Sequence, residues 1–221
     1  MAETTEQLWK SIEPIFQSIL NHPFITGLVS GELEEASFRH YVIQDTLYLR
    51  SFSRALATLG ARTDSDDDLM LFCDHASNAI LVERELHKGF LDAWEVDFSS
   101  AAQSQPAPNT LLYTSYLLRV VFERPFYEGL GAVLPCYWIY HEVGKALEKQ
   151  GSPHPLYQQW IATYSGEVFG EIVRAVLNIA DFQLSGLNLE QKKAVESHFK
   201  QASRLEYLFW DMGYRRQTWP V

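Results

Sequence analysis

Cysteine is scarce in this sequence: Cys73 and Cys136 are its only two examples among 221 residues. They could form one disulfide, but a large chain of intracellular character gives no reason for one, so we expect two thiols. Long hydrophobic runs are also missing, since no stretch of about 18 uncharged apolar residues is present. The first ten residues, MAETTEQLWK, lack the apolar run of a signal peptide. These absences predict a cytoplasmic protein that does not enter a membrane.

Positive charge is in short supply. The chain has 18 lysines and arginines against 28 aspartates and glutamates, which gives a formal net charge of -10 at pH 7. Such an excess of negative charge repels phosphate backbones and anionic lipid surfaces, and no basic cluster offsets it. We therefore do not expect nucleic-acid binding.

Signals for β-structure are missing as well. No stretch alternates cleanly between apolar and polar residues, no Asn-Gly or Asp-Gly hairpin turn is present, and no repeat has a fixed period. Apolar residues instead recur at helical spacing. With 47% hydrophobic residues and no linker, the sequence predicts a single all-α domain over residues 1–221, folded as a compact helical bundle.

The expected helices follow from apolar periodicity and from capping residues. Gly60 is expected to cap the second long helix, the acidic run 64–68 to be a solvated loop, and residues 99–108 to be the longest irregular piece. Asn188 and Gln191 form a capping-box-like pair at the start of the last helix. The predicted helices run from Thr4 or Thr5 to about His22, over 33–59 and 69–94, from Asn109 or Thr110 to 122, over 125–151 and 154–181, and from Asn188 to about Gly213.

The segment 129–144, GLGAVLPCYWIYHEVG, is the best candidate for a chemical site. Tyr140 lies four residues after Cys136, so the thiol and the phenol share one helical face. Pro135 removes a backbone N–H and predicts a kink beside the thiol. A lone cysteine is more often a small buried hydrophobe, and that alternative stays open. The aromatic and titratable neighbours favour a pocket for a flat substrate.

Two carboxylates join this thiol as candidates. Asp45 lies one helical turn before Tyr48, and Glu206 lies three and four residues before Phe209 and Trp210. An apolar setting favours the protonated form of a carboxyl, which suits a general acid. The alternative for each is a structural hydrogen bond or an ion pair, which for Asp45 would involve one of three arginines: Arg39, Arg50 or Arg54.

Four segments of the chain resemble the TenA family, thiaminase II, of the haem-oxygenase-like fold. They are HPF at 22–24, YVIQDTLYL at 41–49, LPCYWIYHEVG at 134–144 and LEYLFWDMGY at 205–214. The resemblance covers nearly the whole chain. LPCYWIY is the most specific part, because it marks the branch of the family that carries a nucleophilic cysteine.

The resemblance implies a role for each candidate residue. Cys136 would be the nucleophile, Glu206 the acid/base beside a pyrimidine, and Asp45 the carboxylate that anchors the amino group of that pyrimidine. The phenols of the family's pocket match four tyrosines: Tyr48, Tyr113, Tyr140 and Tyr164. Three positions depart from the pattern and bear on substrate preference, because larger aromatics or a second tyrosine are expected there: Thr46, Leu47 and His141.

The activity that the resemblance implies is hydrolysis of 4-amino-5-aminomethyl-2-methylpyrimidine, or of thiamine, in thiamine salvage. It needs no metal or other cofactor, and the family commonly forms a homotetramer. One alternative is a regulator that binds a pyrimidine without chemistry. Another is a haem or di-iron bundle oxidoreductase, although no pair of Glu-x-x-His motifs is found among the seven histidines. Helix packing without a function would leave the three candidates Cys136, Asp45 and Glu206 unexplained.

Overall fold

The helical periodicity of the sequence is reproduced in the backbone. The computed structural model describes residues 5–82, 88–94 and 101–221. Over these ranges the chain forms ten α-helices and no β-strand, which confirms the all-α prediction. The helices are α1 Thr5–Leu20, α2 Pro23–Ser30, α3 Glu35–Gly60, α4 Asp66–Val82, α5 Lys88–Ala93, α6 Pro108–Glu123, α7 Phe126–Glu148, α8 Pro155–Ser165, α9 Glu167–Gly186 and α10 Leu189–Arg215.

One compact unit contains the described residues of 1–33 and 127–207. Within it α1 packs against α2 and α9, and α2 packs against α8. Leu8, Ile12 and Ile19 recur on one face of α1 and are buried, as expected for an amphipathic helix. The Tyr157 hydroxyl donates to the Leu33 carbonyl over 2.7 Å, which ties α8 to the segment that follows α2.

A second compact unit contains the described residues of 34–126 and 208–221. Its central helix is α3, which packs against α4, α5 and α6. Hydrogen bonds from the C-terminal residues to the rest of this unit include those of the Tyr214 carbonyl, which accepts from Ser37 Oγ over 2.9 Å, and of Trp219 Nε1, which donates to the Pro106 carbonyl over 2.8 Å. The expectation of one domain over residues 1–221 stays a prediction.

Two predicted helix ends are confirmed, at Gly151 and at Asn188, and Gly31 ends a helix, α2, that the sequence pattern did not predict. Gly31 ends α2 in the left-handed conformation with φ 76°, and Gly151 follows α7 with φ 63°. Glycine adopts this conformation without the steric cost of a Cβ. The capping box of α10 is present, because Asn188 N donates to Gln191 Oε1 over 2.9 Å and Gln191 N donates to Asn188 Oδ1 over 3.0 Å.

Two predicted caps are wrong. Gly60 lies inside the last turn of α3, where an added Cβ would be 3.0 Å from the Phe72 Cβ, so its role is close packing. Neither Asn109 nor Thr110 caps α6, which begins at Pro108. Proline suits a first helical position, because its fixed φ is already helical and its missing N–H would have had no partner there.

The predicted single helix over 154–181 is also wrong. It is two helices, α8 and α9, separated at Gly166, whose ψ of 149° lies outside the helical region. The buried residues of α8 and those of α9 fall on different faces of one continued helical repeat, as the exposure of Val168, one turn after Tyr164, illustrates. This break determines where Tyr164 lies.

The remaining predictions fall partly outside the described residues. The predicted helix 69–94 corresponds to α4 and α5, and residues 83–87 between them are outside the described ranges. Residues 99 and 100 of the predicted loop 99–108 are also outside, and its described part is irregular from 103 to 107. The acidic run 64–68 is only partly a loop, since Asp66 begins α4. None of the described helices combines the length and apolar character needed to cross a bilayer.

Candidate functional site

Helix α7 carries the candidate nucleophile. Pro135 lies inside this helix and Cys136 follows it, with a side chain that is partly buried. Both cysteines are thiols, and Cys73 differs from Cys136 in being exposed. A partly buried thiol in an aromatic helix is compatible with a nucleophile that a small substrate reaches, whereas an inert core cysteine would be expected to be fully buried.

Tyr137 is a neighbour of this thiol that the sequence did not single out. Burial, and after it the charge of a Cys136 thiolate, raise the pKa of the Tyr137 phenol well above its usual value of 10.0. Tyr137 is therefore a neutral phenol at physiological pH. Helical spacing pointed to Tyr140, one turn further on, and gave no reason to select the adjacent residue.

Tyr140 and Tyr164 are in direct contact. Their ring centroids are 4.9 Å apart at 54°, with Tyr140 on α7 and Tyr164 in the last turn of α8. Trp160 joins them, with its ring centroid 4.7 Å from that of Tyr164 and 6.0 Å from that of Tyr140. The structure thus brings together two of the four predicted phenols and adds an indole that the prediction did not include.

Glycine makes this contact between α7 and α8 possible. A Cβ added to Gly144 would lie 2.6 Å from both the Ser165 nitrogen and the Tyr164 carbonyl carbon. Real Cβ atoms do not approach backbone so closely, so only glycine allows α7 to meet α8 here. The close approach places the backbone of Tyr164 directly against α7.

Glu206 lies near the C-terminal end of α10 and is 1% exposed. Phe209 and Trp210, the next residues on its helical face, are both buried. A carboxyl buried this completely must be protonated or have polar partners, because an isolated buried charge is costly. Burial therefore agrees with the environment that the sequence predicted for Glu206.

Asp45 is the buried acid of the second unit. It is 3% exposed and lies one turn before Tyr48, which has the same exposure. The Tyr48 ring centroid is 4.9 Å from that of Tyr113 and 5.3 Å from that of Phe209. These contacts bring the other two predicted phenols together. Arg50 is one of the three arginines that were candidates to pair with Asp45, and its Nη1 donates a hydrogen bond to the Ala102 carbonyl over 2.9 Å.

The seven predicted residues are therefore divided between the two units. The first unit contains Cys136, Glu206 and the paired Tyr140 and Tyr164. The second unit contains Asp45 and the paired Tyr48 and Tyr113. That all of them border one interior cavity stays a prediction. Within the described parts of the chain, no three His, Cys, Asp or Glu side chains are grouped as metal ligands would be.

These features define an all-α protein with buried carboxyls, paired phenols and a partly accessible thiol. The sequence pattern of the TENA/THI-4/PQQC family matches residues 9–216, and the chain belongs to this family. The family predicted from the four sequence segments is thereby confirmed.

Two relatives have the same name. The Aminopyrimidine aminohydrolase of Halalkalibacterium halodurans is 34% identical over 215 residues, covering 96% of each chain. That of Bacillus subtilis is 34% identical over 198 residues, covering 90% of this chain and 84% of its own.

Solved structures show the same fold. A TenA homologue protein from P. horikoshii OT3 superposes with a TM-score of 0.88 at 26% identity, covering 96% of this chain and 98% of its own. A domain from Shewanella denitrificans with a heme oxygenase-like fold has a TM-score of 0.76 at 18% identity, covering 98% of this chain and 94% of its own. The haem-oxygenase-like, TenA-like fold is confirmed.

Proposed function

We propose that this protein is an aminopyrimidine aminohydrolase, or thiaminase II, that acts in thiamine salvage. The observation that carries the proposal is similarity over nearly the whole chain to proteins of that name, at 34% identity over 96% of this chain for the Halalkalibacterium halodurans relative. The proposed substrate is 4-amino-5-aminomethyl-2-methylpyrimidine, with thiamine as a second substrate. The products are 4-amino-5-hydroxymethyl-2-methylpyrimidine and either ammonia or the thiazole of thiamine.

The proposed nucleophile is Cys136, because the reacting carbon is difficult to attack directly. Its thiolate adds to the pyrimidine ring, which makes the ring electron-rich enough to expel the amine from the methylene carbon. Water then adds to that carbon as a hydroxyl, and the C–S bond breaks to restore the aromatic ring. The thiolate is regenerated, so one water is consumed and one ammonia is released in each cycle.

Glu206 is the proposed proton carrier. In its protonated form it donates a proton as the amine departs, and as a carboxylate it accepts one from the incoming water. The side chain is 1% exposed, and burial of this kind disfavours the charged form of a carboxyl. The same environment would shield the electron-rich intermediate from bulk solvent.

Substrate orientation is assigned to Asp45 and the four phenols. A carboxylate at Asp45 would accept from the exocyclic amino group of the pyrimidine. The aromatic pairs would hold the flat ring, at about 0.5 to 1.5 kcal/mol per good contact. Tyr48 and Tyr113 form one such pair, with ring centroids 4.9 Å apart, and Tyr140 and Tyr164 form the other at the same separation.

The test is an ammonia-release assay on the aminomethylpyrimidine, run beside thiamine with detection of the released thiazole. We expect turnover of at least one substrate by the wild type and loss of nearly all turnover in Cys136→Ser. A wild-type protein that binds the hydroxymethylpyrimidine but turns over neither substrate would instead be a pyrimidine-binding regulator. An absorbance scan of the purified protein tests the haem and di-iron alternatives.

We also propose that the protein works in the cytoplasm as a homotetramer. A formal net charge of -10 is compatible with a soluble enzyme of small-molecule metabolism. Light scattering coupled to gel filtration measures the oligomeric state directly. A monomer of 25.4 kDa at working concentrations would refute this part of the proposal.

A further inference from the structure

His141 makes a hydrogen bond that the proposed chemistry does not use. Its Nδ1 lies 2.9 Å from the carbonyl oxygen of Tyr164. A carbonyl oxygen only accepts hydrogen bonds, so Nδ1 must carry the proton and donate it. The His141 side chain on α7 is thereby joined to the backbone of a predicted pocket residue on α8.

The imidazole is held on two further sides. Its ring lies 6.0 Å from that of Phe169 at 65°, and the Phe169 ring in turn meets Tyr164 edge-on at 5.3 Å and 83°. A Cβ added to Gly170 would lie 3.0 Å from His141 Cε1 and 3.2 Å from Nε2. The histidine therefore fills the space that this glycine leaves open, and its ring has little freedom to rotate.

Tyr164 needs such an anchor because of its place in the fold. It lies in the last turn of α8, where carbonyls have no partner further along their own helix, and Gly166 then leaves the helical conformation. The His141 proton supplies a partner for one of these carbonyls. Tyr164 is thus attached to α7 through its backbone, by His141, and through its ring, by the contact with Tyr140 at 4.9 Å.

We propose that His141 is a positioning residue that holds Tyr164 in place as a wall of the pyrimidine site. The inference rests on the proposed function, since it assumes that Tyr164 contacts the substrate ring. His141 stands where the family resemblance leads one to expect a tyrosine. A phenol carries a single hydroxyl at the far end of its ring, so it has no donor at the position of the imidazole Nδ1.

The kinetic signature of this role differs from that of an acid or a base. Tyr164 would contact the ring in the bound substrate and in the transition state alike, so misplacing it weakens both states equally. Loss of the anchor should raise KM by roughly 3- to 10-fold, the range expected for one aromatic contact, and leave kcat within about 2-fold. A group that transferred a proton would instead lower kcat.

Two substitutions of similar size separate the hydrogen bond from simple packing. His141→Asn keeps an N–H donor close to the position of Nδ1. His141→Leu introduces a side chain of nearly the same shape as asparagine but without a donor. We expect the asparagine variant to stay close to the wild type in KM and the leucine variant to show the increase. His141→Gln, with its donor near the position of Nε2, gives a third comparison should the leucine variant fold poorly, and it is expected to behave like leucine.

A double-mutant cycle identifies the residue through which His141 acts. In a Tyr164→Ala background there is no ring to position, so His141→Leu should cause no further increase in KM. Calorimetric titration with 4-amino-5-hydroxymethyl-2-methylpyrimidine provides a readout that does not depend on turnover, and its Kd should change in parallel with KM. Circular dichroism melts establish that each variant is folded.

The outcomes keep this inference separate from the proposed function. Wild-type turnover together with equal KM values for the asparagine and leucine variants would overturn the role of His141 and leave the function intact. An undiminished effect of His141→Leu in the Tyr164→Ala background would also overturn it. A wild type that neither binds the product nor releases ammonia would refute the proposed function, and this inference with it.

Discussion

Gly144→Ala tests the close contact between α7 and α8 on which the position of Tyr164 depends. The added methyl carbon would lie 2.6 Å from two backbone atoms, the Ser165 nitrogen and the Tyr164 carbonyl carbon. Ordinary contact begins at about 3.4 Å, so the two helices must separate locally by about 0.8 Å. Because the atoms in conflict belong to the backbone, no side-chain rotation relieves the clash.

The expected magnitude follows from two opposing effects. Overpacking of this kind costs about 1–3 kcal/mol. Alanine gains roughly 0.5–1 kcal/mol over glycine in a helix interior. The same movement would stretch the His141–Tyr164 hydrogen bond from 2.9 Å beyond a useful length. We expect a net loss of about 1–2 kcal/mol, which for a chain of this size lowers Tm by roughly 2–8 °C.

Gly186→Ala is the matched control for this experiment. Gly186 is the last residue of α9, and an added Cβ would have no atom within 4 Å. Scanning calorimetry of both variants and the wild type measures the difference. We expect the Gly186 variant to match the wild type or exceed it slightly. A Gly144→Ala protein as stable as the Gly186→Ala protein would refute the packing argument.

Three further predictions concern the candidate chemistry and one buried base. Cys136→Ser should keep the fold and bind the pyrimidine while losing nearly all turnover, because an alcohol is far less ionised than a thiol at neutral pH. Substitution of the exposed cysteine, Cys73→Ser, should have little effect. Full ammonia release by the Cys136→Ser protein would contradict the prediction. Glu206→Gln should lower kcat more than it weakens substrate binding, whereas Asp45→Ala should weaken binding as well and so raise KM. A change confined to KM in the Glu206→Gln protein would count against proton transfer by Glu206. Burial lowers the pKa of His40, opposed by a hydrogen bond that the imidazole donates to the Gln217 backbone. Unfolding therefore takes up a proton once the pH falls below the usual histidine value of 6.5, and stability is lost as the pH falls further. His40→Gln should therefore lose less stability than the wild type between pH 7 and 5 in urea unfolding, and equal slopes would argue against this assignment.

Local chemistry made much of the architecture predictable from the sequence. The capping box at Asn188 and Gln191 and the glycine that closes α7 at position 151 depend on interactions within a few residues, so spacing alone revealed them. The helical class followed from apolar periodicity for the same reason. The motif LPCYWIY likewise contains its chemistry within one helix, where thiol and phenol are one turn apart.

The tertiary structure decided what depends on contacts between distant segments. The break at Gly166 is marked by no proline, and apolar residues occur at close spacing on both sides of it, so the pattern predicted one helix where the structure has two. Gly60 looks like a cap in the sequence, but its lack of a side chain serves its contact with Phe72 on another helix. The role of His141 depends on a carbonyl 23 residues away. Packing between helices selects such partners, and no spacing rule within one helix encodes that choice.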